Sequence, residues 1–413
     1  MENNKLYTLK DFELSTNESL IDRSNRFQNY IEQLNEIGPK SYWTRSSSGV
    51  GARMDVEDTS SPVISFVSND YLGMSQRIET KEAGINAIMK YGTGACAAQV
   101  IGGYFDIHRN LEEKIAHFVG QEDALLFSSG FGANAGLLRA ILGTNDIALI
   151  DSFIHTSTLA GLKDTHIKHI GHNNLEYLEI ALKDVKDKFK TKLVIIDGVY
   201  SQDGDLSKLP EIIKLCHKYG AMLMMDDAHG IGVMGDTGRG TAEYFNCLGM
   251  IDIITGTFSK SFGCVGGFVA ASAKIIQYLR FYADSNVFSA AITPQVTASV
   301  TKALDIMKSE PAIRRKLWDN TNYLRNELTK RNFDIGKSTS PIFPVMIRDN
   351  KKVYTIAKML REIGIFTIPI VYPAVRVKEA RLRISVLSTH TKADLDKLIY
   401  SLEEINKTLI FKR

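Results

Sequence analysis

Short apolar runs alternate with helix-spaced apolar positions along most of this chain. "DALLFSSGFGANAGLLRAIL" reads as a strand, a glycine-rich turn and a helix. "DIALID", "KLVIIDGVYS", "AMLMMDDAHG" and "IDIIT" (251–255) read as further strands, and "VISFVSNDYLGM" as a strand and turn. Between them, "RNLEEKIAHFVG" has the spacing of an amphipathic helix closing at Gly120. "LPEIIKLCHKYG" is a helix with proline near its start and glycine at its end. Strands that are continuously apolar, with helices between them, predict a mostly parallel sheet covered on both faces. The fold class is therefore α/β.

The pattern also divides the chain. Residues 1–60 read as an N-terminal arm, helical in "SNRFQNYIEQLNEIG" and polar afterwards. Residues 61–295 carry the strand–helix alternation. From 296 the texture changes to a long helical stretch, then "SPIFPVMIRDN", "IGIFTIPIVYP" and "RLRISVL", which predicts a smaller α+β domain over 296–413. Its terminal helix sets Leu395, Leu398, Ile399, Leu402 and Ile405 on one face, as core.

Composition narrows the function. The 413 residues are 44% hydrophobic and 23% charged, ordinary for a globular protein. A net charge of +3, with no dense basic block, argues against nucleic acid. Four scattered cysteines lack the spacing of a zinc site or a disulfide framework. The start is polar and acidic, unlike a signal peptide, and no apolar run has the length of a membrane span. The expected compartment is the cytoplasm.

Polar residues stand at strand ends where packing alone does not call for them. They are Asp226, Asp227 and His229 after "AMLMM", Asp197 and Ser201 in "IIDGVYSQDGD", and Lys260 in "GTFSKSFG" (256–263). The ends of parallel strands are where open α/β folds collect ligands. Ser129, Gly130, Phe131 and Gly132 lie between a strand and a helix, where exposed N–H groups suit an anion, and Thr257 adds a hydroxyl. "GIGVMG" (230–235) has the form of a dinucleotide fingerprint, but no helix follows it. A metal held by Asp226, Asp227 and His229 leaves Lys260 and the anion cradle unexplained; no metal is expected. Pyridoxal phosphate uses every feature at once: an amine for a Schiff base, a carboxylate at the pyridine nitrogen and a phosphate cradle.

With these residues in place, the chain resembles the α-oxoamine synthases, fold-type I pyridoxal-phosphate enzymes, from "SNDYLGM" (68–74) to "LRISVLSTHT" (382–391). The motifs that carry the resemblance include "DIHRNLEEKIA", "SSGFGAN", "DSFIHTS", "DGVYSQDGD", "DDAHG", "TFSKSFG" and "LRIS". Within the group it is most similar to the bacterial serine palmitoyltransferase branch, through "YGTG", "GHNN" and "VFSAAITP". The resemblance implies a large sheet domain of the seven-stranded type and a smaller C-terminal domain. By position, Lys260 matches the Schiff-base lysine, Asp226 the pyridine-nitrogen partner, and His155 the histidine stacked on the ring. Ser201 and His229 match groups near the ring hydroxyl, and Gly130, Phe131 and Thr257 match phosphate donors. Arg383 matches the holder of the substrate carboxylate, and Asn69 and Tyr71 match positions near the substrate.

The reaction so implied joins an amino acid, L-serine by preference, to a fatty acyl-CoA or acyl carrier protein, with loss of CO₂. The implied assembly is a homodimer with shared active sites, with peripheral membrane contact of the helical arm kept as an option. Ala97-Ala98-Gln99, Gly102-Gly103-Tyr104 and Ala291 depart from the serine palmitoyltransferase pattern of Gly-Ser-Arg, Asn-Gly-Thr and serine. Arg376 and Lys378 add cations after "YPAV". These departures keep cysteate as an alternative substrate. Glycine with acetyl-CoA and alanine with pimeloyl-CoA are the other pairs. A non-catalytic subunit is disfavoured because Lys260 and Asp226 are both present.

Overall fold

The computed structural model describes residues 8–12, 17–37 and 42–411. The polar start of the chain lies partly outside these residues. Two compact units emerge: residues 69–201 with 205–317, and residues 1–68 with 202–204 and 318–413. Residues 61–68 and 296–317 thus fall in the other unit from the one a linear division at 60 and 295 assigns. Pairing explains both. Ile64 lies in register with Ile365 in a small sheet. The helix Pro294–Ser309 lies close against the helix Ile78–Tyr91, where Ser299 Oγ donates to Thr80 O at 2.8 Å.

The strands in chain order are β1 (Arg53–Met54), β2 (Val63–Ser65), β3 (Asp123–Phe127), β4 (Ile147–Asp151), β5 (His166–Ile170), β6 (Lys192–Asp197) and β7 (Met222–Asp226). They continue as β8 (Ile253–Thr257), β9 (Gly267–Ala271), β10 (Ile342–Met346), β11 (Ile365–Phe366), β12 (Ile368–Ile370) and β13 (Arg381–Ser385).

In the larger unit seven strands form one sheet in the order β3-β9-β8-β7-β6-β4-β5. The strands β4 to β8 pair in parallel, while β9 runs antiparallel to both β3 and β8. Every residue of β4, β8 and β9 is buried, as the apolar runs require. Leu137, Leu138, Ile150, Ile195 and Met224 pack in its core with no exposure. Each such side chain contributes about 1.5–3 kcal/mol. The polar strand β5, "HIKHI", sits at the sheet's edge, mostly exposed.

Register sets the chemistry. Asp197 on β6 pairs with Asp226 on β7, and Asp226 with Thr255 on β8. The carboxyl ends of three adjacent strands therefore align. The strand expected at 251–255 is displaced to Ile253–Thr257, because Gly256 stays in the strand beneath the ring of Phe268. A Cβ on Gly256 would stand 2.6 Å from Phe268 Cε1.

In the smaller unit β10 and β12 flank β13, antiparallel to it, while β1, β2 and β11 make a second small sheet. The terminal helix Lys392–Leu409 opens on a capping box, in which Asp394 N donates to Thr391 Oγ1 and Thr391 N to Asp394 Oδ2. It buries Leu395, Leu398, Ile399, Leu402 and Ile405, the face its spacing predicts. No helix among the described residues is long and apolar enough to cross a membrane.

Candidate active site

The turn after β8 carries Lys260. Its neighbours Phe258 and Phe262 are buried and meet edge to face with centroids 5.2 Å apart, while Lys260 between them is only partly covered. Gly263 closes the turn at φ 67° and approaches the backbone of Ser75 so nearly that a Cβ would stand 2.2 Å from Ser75 N. Two aromatic anchors and one obligatory glycine thus fix the lysine at the carboxyl end of the sheet.

Lys260 lines a cavity of about 290 Å³ in the larger unit. Asp226, His155, His229, Ser201 and Thr257 line it too, together with Gly130 and Phe131. All the cofactor residues expected from the sequence therefore meet in one place. Tyr71 is buried nearby, its hydroxyl 2.8 Å from His229 Nδ1 and 3.4 Å from Asn69 Oδ1. Arg383 belongs to the smaller unit, where it is buried on β13 and donates to Ser385 Oγ at 2.9 Å.

Asn134 and Ser157, to which the sequence pattern assigns no role, link these groups. Asn134 Nδ2 donates to Asp226 Oδ2 at 2.7 Å and to Ser157 Oγ at 2.9 Å. Ser157 Oγ lies 2.7 Å from His155 Nδ1, which also accepts from Ser157 N. A neutral His155 held this way carries its proton on Nε2. Desolvation lowers its pKa from the ordinary value, while Asp226 acts in the opposite direction. Asp226 Oδ1 accepts from Ala228 N at 3.0 Å, so both carboxylate oxygens are held.

The two other aspartates differ in role. Burial, aided by the charge of Asp226, pushes Asp197 well above the ordinary carboxyl range. Burial also raises Asp227 to about 7, against hydrogen bonds from Thr241 Oγ1 and N at 2.6 and 2.8 Å. Asp227 therefore braces the turn that follows β7. Gly230 of "GIGVMG" serves that brace, since a Cβ there would stand 2.0 Å from Asp227 Oδ1. No group of metal-ligating side chains occurs among the described residues.

The cavity fits pyridoxal phosphate. The helix Gly130–Ile141 starts at its wall, capped by Ser129 Oγ accepting from Gly132 N at 2.9 Å. That leaves the first-turn amides of Gly130 and Phe131 for an anion. A Cβ on Gly130 would stand 2.9 Å from Thr257 Cβ, so the amides and the Thr257 hydroxyl share one small space. Asn134 Oδ1 and Asp197 Oδ1 are buried without a hydrogen-bond partner among the described residues, as befits polar groups facing a polar ligand.

Behind Ser201 lies a further clamp. His172 bonds Asp151 at 3.0 Å and Asp205 at 2.8 Å, and stacks on Phe153. Asn173 Nδ2 donates to Leu206 O at 3.0 Å. Together they hold the loop that carries Ser201. Burial alone would lower the His172 pKa, but the two carboxylates outweigh it and hold it at about 9. Because the folded value lies above the ordinary 6.5, His172 stabilises the fold fully below pH 6.5, and the contribution disappears as pH rises through 9. Its size is on the order of 1–3 kcal/mol. Thermal unfolding of the wild type is expected to fall more steeply than that of His172→Gln between pH 6.5 and 9. Parallel curves would remove this role.

The profile of the aminotransferase class I and II family matches residues 61–402. Among curated relatives, 8-amino-7-oxononanoate synthase of Thermoanaerobacter pseudethanolicus is 41% identical over 381 residues, covering 92% of this chain and 96% of that protein. Serine palmitoyltransferase of Sphingobacterium spiritivorum is 39% identical over 390 residues, covering 94% and 97%. A solved serine palmitoyltransferase of Sphingomonas wittichii superposes with a TM-score of 0.91 at 26% identity, covering 96% of this chain and 100% of that one. Another, solved with pyridoxal phosphate, gives 0.90 at 27%, covering 95% and 99%. Fold, cavity and relatives agree: the chain belongs to the aminotransferase class I and II family, and within it to the α-oxoamine synthases, fold-type I acyltransferases that depend on pyridoxal phosphate.

Proposed function

We propose that this protein condenses a small amino acid, L-serine by preference, with a long-chain fatty acyl thioester. The products are an α-aminoketone of the 3-ketosphinganine type, CO₂ and the free thiol. The observation that carries this reading is the meeting of Lys260, Asp226 and the Gly130 amide in one cavity. Bound there, pyridoxal phosphate supplies an electron sink for the substrate's α-carbon.

The chain's residues divide the remaining work. The Lys260 amine takes the α-proton, and Asp226, fixed by Asn134 and Ala228, holds a proton at the pyridine nitrogen. His155, oriented by Ser157, would cover the ring, and its Nε2–H would steady the substrate carboxylate until acylation. His229 and Ser201 would hold the ring hydroxyl, with Tyr71 setting the His229 ring. The amides of Gly130 and Phe131 and the Thr257 hydroxyl bind phosphate. Asn69 and Tyr71 are assigned to the substrate.

Arg383 is assigned the substrate carboxylate, because a guanidinium fork matches it in two bonds. Arg383→Ala is expected to raise the amino-acid KM at least tenfold with a smaller effect on the acyl donor. An unchanged amino-acid KM would mean the carboxylate is held elsewhere.

A second reading is supported by the 41% identity to an 8-amino-7-oxononanoate synthase: alanine with a pimeloyl thioester. Cysteate is supported only by the cations Arg376 and Lys378 and by the altered segment at 97–99. In that segment Ala97 O accepts from Ala291 N at 3.0 Å, joining two of the departures directly. We also propose a cytoplasmic homodimer. Met89, Ile101 and Phe288 are 81%, 78% and 87% exposed, apolar surface that a second copy would cover. A sedimentation mass near 46.0 kDa at micromolar protein would contradict it.

The test is product mass spectrometry. Holoenzyme with palmitoyl-CoA is incubated separately with serine, cysteate, glycine and alanine, and a further reaction pairs alanine with pimeloyl-CoA. A ketosphinganine mass from serine is expected. Product only from cysteate would move the protein to sulfonolipid chemistry, and product only from alanine with pimeloyl-CoA to the second reading.

A further inference from the structure

The smaller unit has a pocket of its own, about 500 Å³, lined by the 58–62 turn and by the ends of two helices. Three cations reach it. Lys358 and Arg361 stand three residues apart on the helix Asn350–Glu362, so they share a face, and Lys397 comes from the helix Lys392–Leu409. Lys397 Nζ lies over Gly364, 3.5 Å from where a Cβ would stand.

The cations are only partly balanced within the fold. Asp58 and Glu362 line the same pocket, yet none of the three cations makes an ion pair among the described residues. The dipole of the first helix accounts for a cation in its last turn, at Arg361, but not for Lys397 on another helix.

Arg361 is the strongest sign. It is only 9% exposed, its guanidinium stacks 4.1 Å from the centroid of Phe366, and its Nη2 makes one long bond of 3.4 Å to Thr44 Oγ1. Its Nη1 is buried with no hydrogen-bond partner among the described residues. Burial lowers its pKa, with Asp58 and Glu57 acting only in part against that. A buried, unpartnered guanidinium nitrogen is costly unless a ligand completes it. Ser60 and Ser61 also line the pocket, and their hydroxyls are donors of the kind a phosphate oxygen accepts.

We propose that this pocket binds a phosphate-class oxyanion, with Arg361 as its fixed donor and Lys358 and Lys397 closing over it. The shared chemistry is a phosphoryl group, either free phosphate or part of a larger ligand. The site is independent of the cofactor cavity, since every residue in it belongs to the smaller unit.

The test uses holoenzyme saturated with pyridoxal phosphate, so that the amides of Gly130 and Phe131 are already taken. Inorganic phosphate and, separately, adenosine 3′,5′-bisphosphate are titrated by calorimetry. The expected result is saturable binding, one per chain, with Kd raised at least tenfold in both Lys358→Ala/Lys397→Ala and Arg361→Gln. Tighter binding of the bisphosphate, lost in the same variants, assigns the pocket to a phosphorylated ligand; equal or weaker binding assigns it to free phosphate. Absence of saturable binding for both probes, or binding unchanged in the double lysine variant, overturns the proposal. The double variant is decisive if Arg361→Gln fails to fold, because Lys397 is exposed and Lys358 partly so.

Discussion

Lys260→Ala is expected to lower turnover by on the order of 10⁴-fold or more. The reason lies in what no neighbour can replace. The cavity contains one lysine, and its other walls offer carboxyl, imidazole and hydroxyl groups. None of these forms an imine with an aldehyde. On the proposed function, the same substitution removes both the covalent anchor and the base that takes the α-proton. The fold is expected to survive it, because Phe258, Phe262 and Gly263 shape the turn. The variant should therefore still bind pyridoxal phosphate through Gly130, Phe131, Thr257 and Asp226, but reversibly, so that dialysis strips it. Steady-state turnover and cofactor retention after dialysis measure the two effects. Turnover within tenfold of the wild type would remove Lys260 from the chemistry.

The second large effect is expected for Asp226→Asn, with turnover falling roughly 10²- to 10³-fold. The side chain keeps its size, and its remaining oxygen can still accept from Asn134 Nδ2 or Ala228 N. What is lost is the negative charge proposed to hold a proton at the pyridine nitrogen. Asp197 lies beside it in register, but burial pushes that carboxyl well above the ordinary range and so disfavours its charged form. The cofactor's absorption spectrum should change while the unfolding temperature moves little. An unfolding temperature that collapses instead would make Asp226 a structural residue.

Much of this site is legible in the sequence because strand ends are legible. Asp197, Asp226 and Lys260 each follow an apolar run, and parallel strands bring such ends together. The Gly130 cradle is readable for the same reason, as a glycine-rich turn between a strand and a helix. Asn134 and Ser157 are not. Each looks like an ordinary polar residue in the first turns of a helix, and their roles come from contacts with partners 92 and 23 residues away. Asp227 and its glycines mimic a nucleotide motif, and only the bonds to Thr241 show a structural brace.

The fold shows the same limits. The strand β9 is short, rich in glycine and alanine, and runs against the parallel direction, so the pattern of apolar runs does not announce it. The strand β5 is polar because it lies at an edge. The pairing of β2 with β11 joins residues about 300 apart, and no local pattern records that.

The most direct test of the central claim is to locate the cofactor's attachment. Holoenzyme is reduced with borohydride and digested, and the peptides are weighed. The expected result is the reduced pyridoxyl-phosphate mass on the peptide containing Lys260 and on no other. Attachment to another lysine, or bound cofactor that borohydride fixes nowhere, would contradict the account.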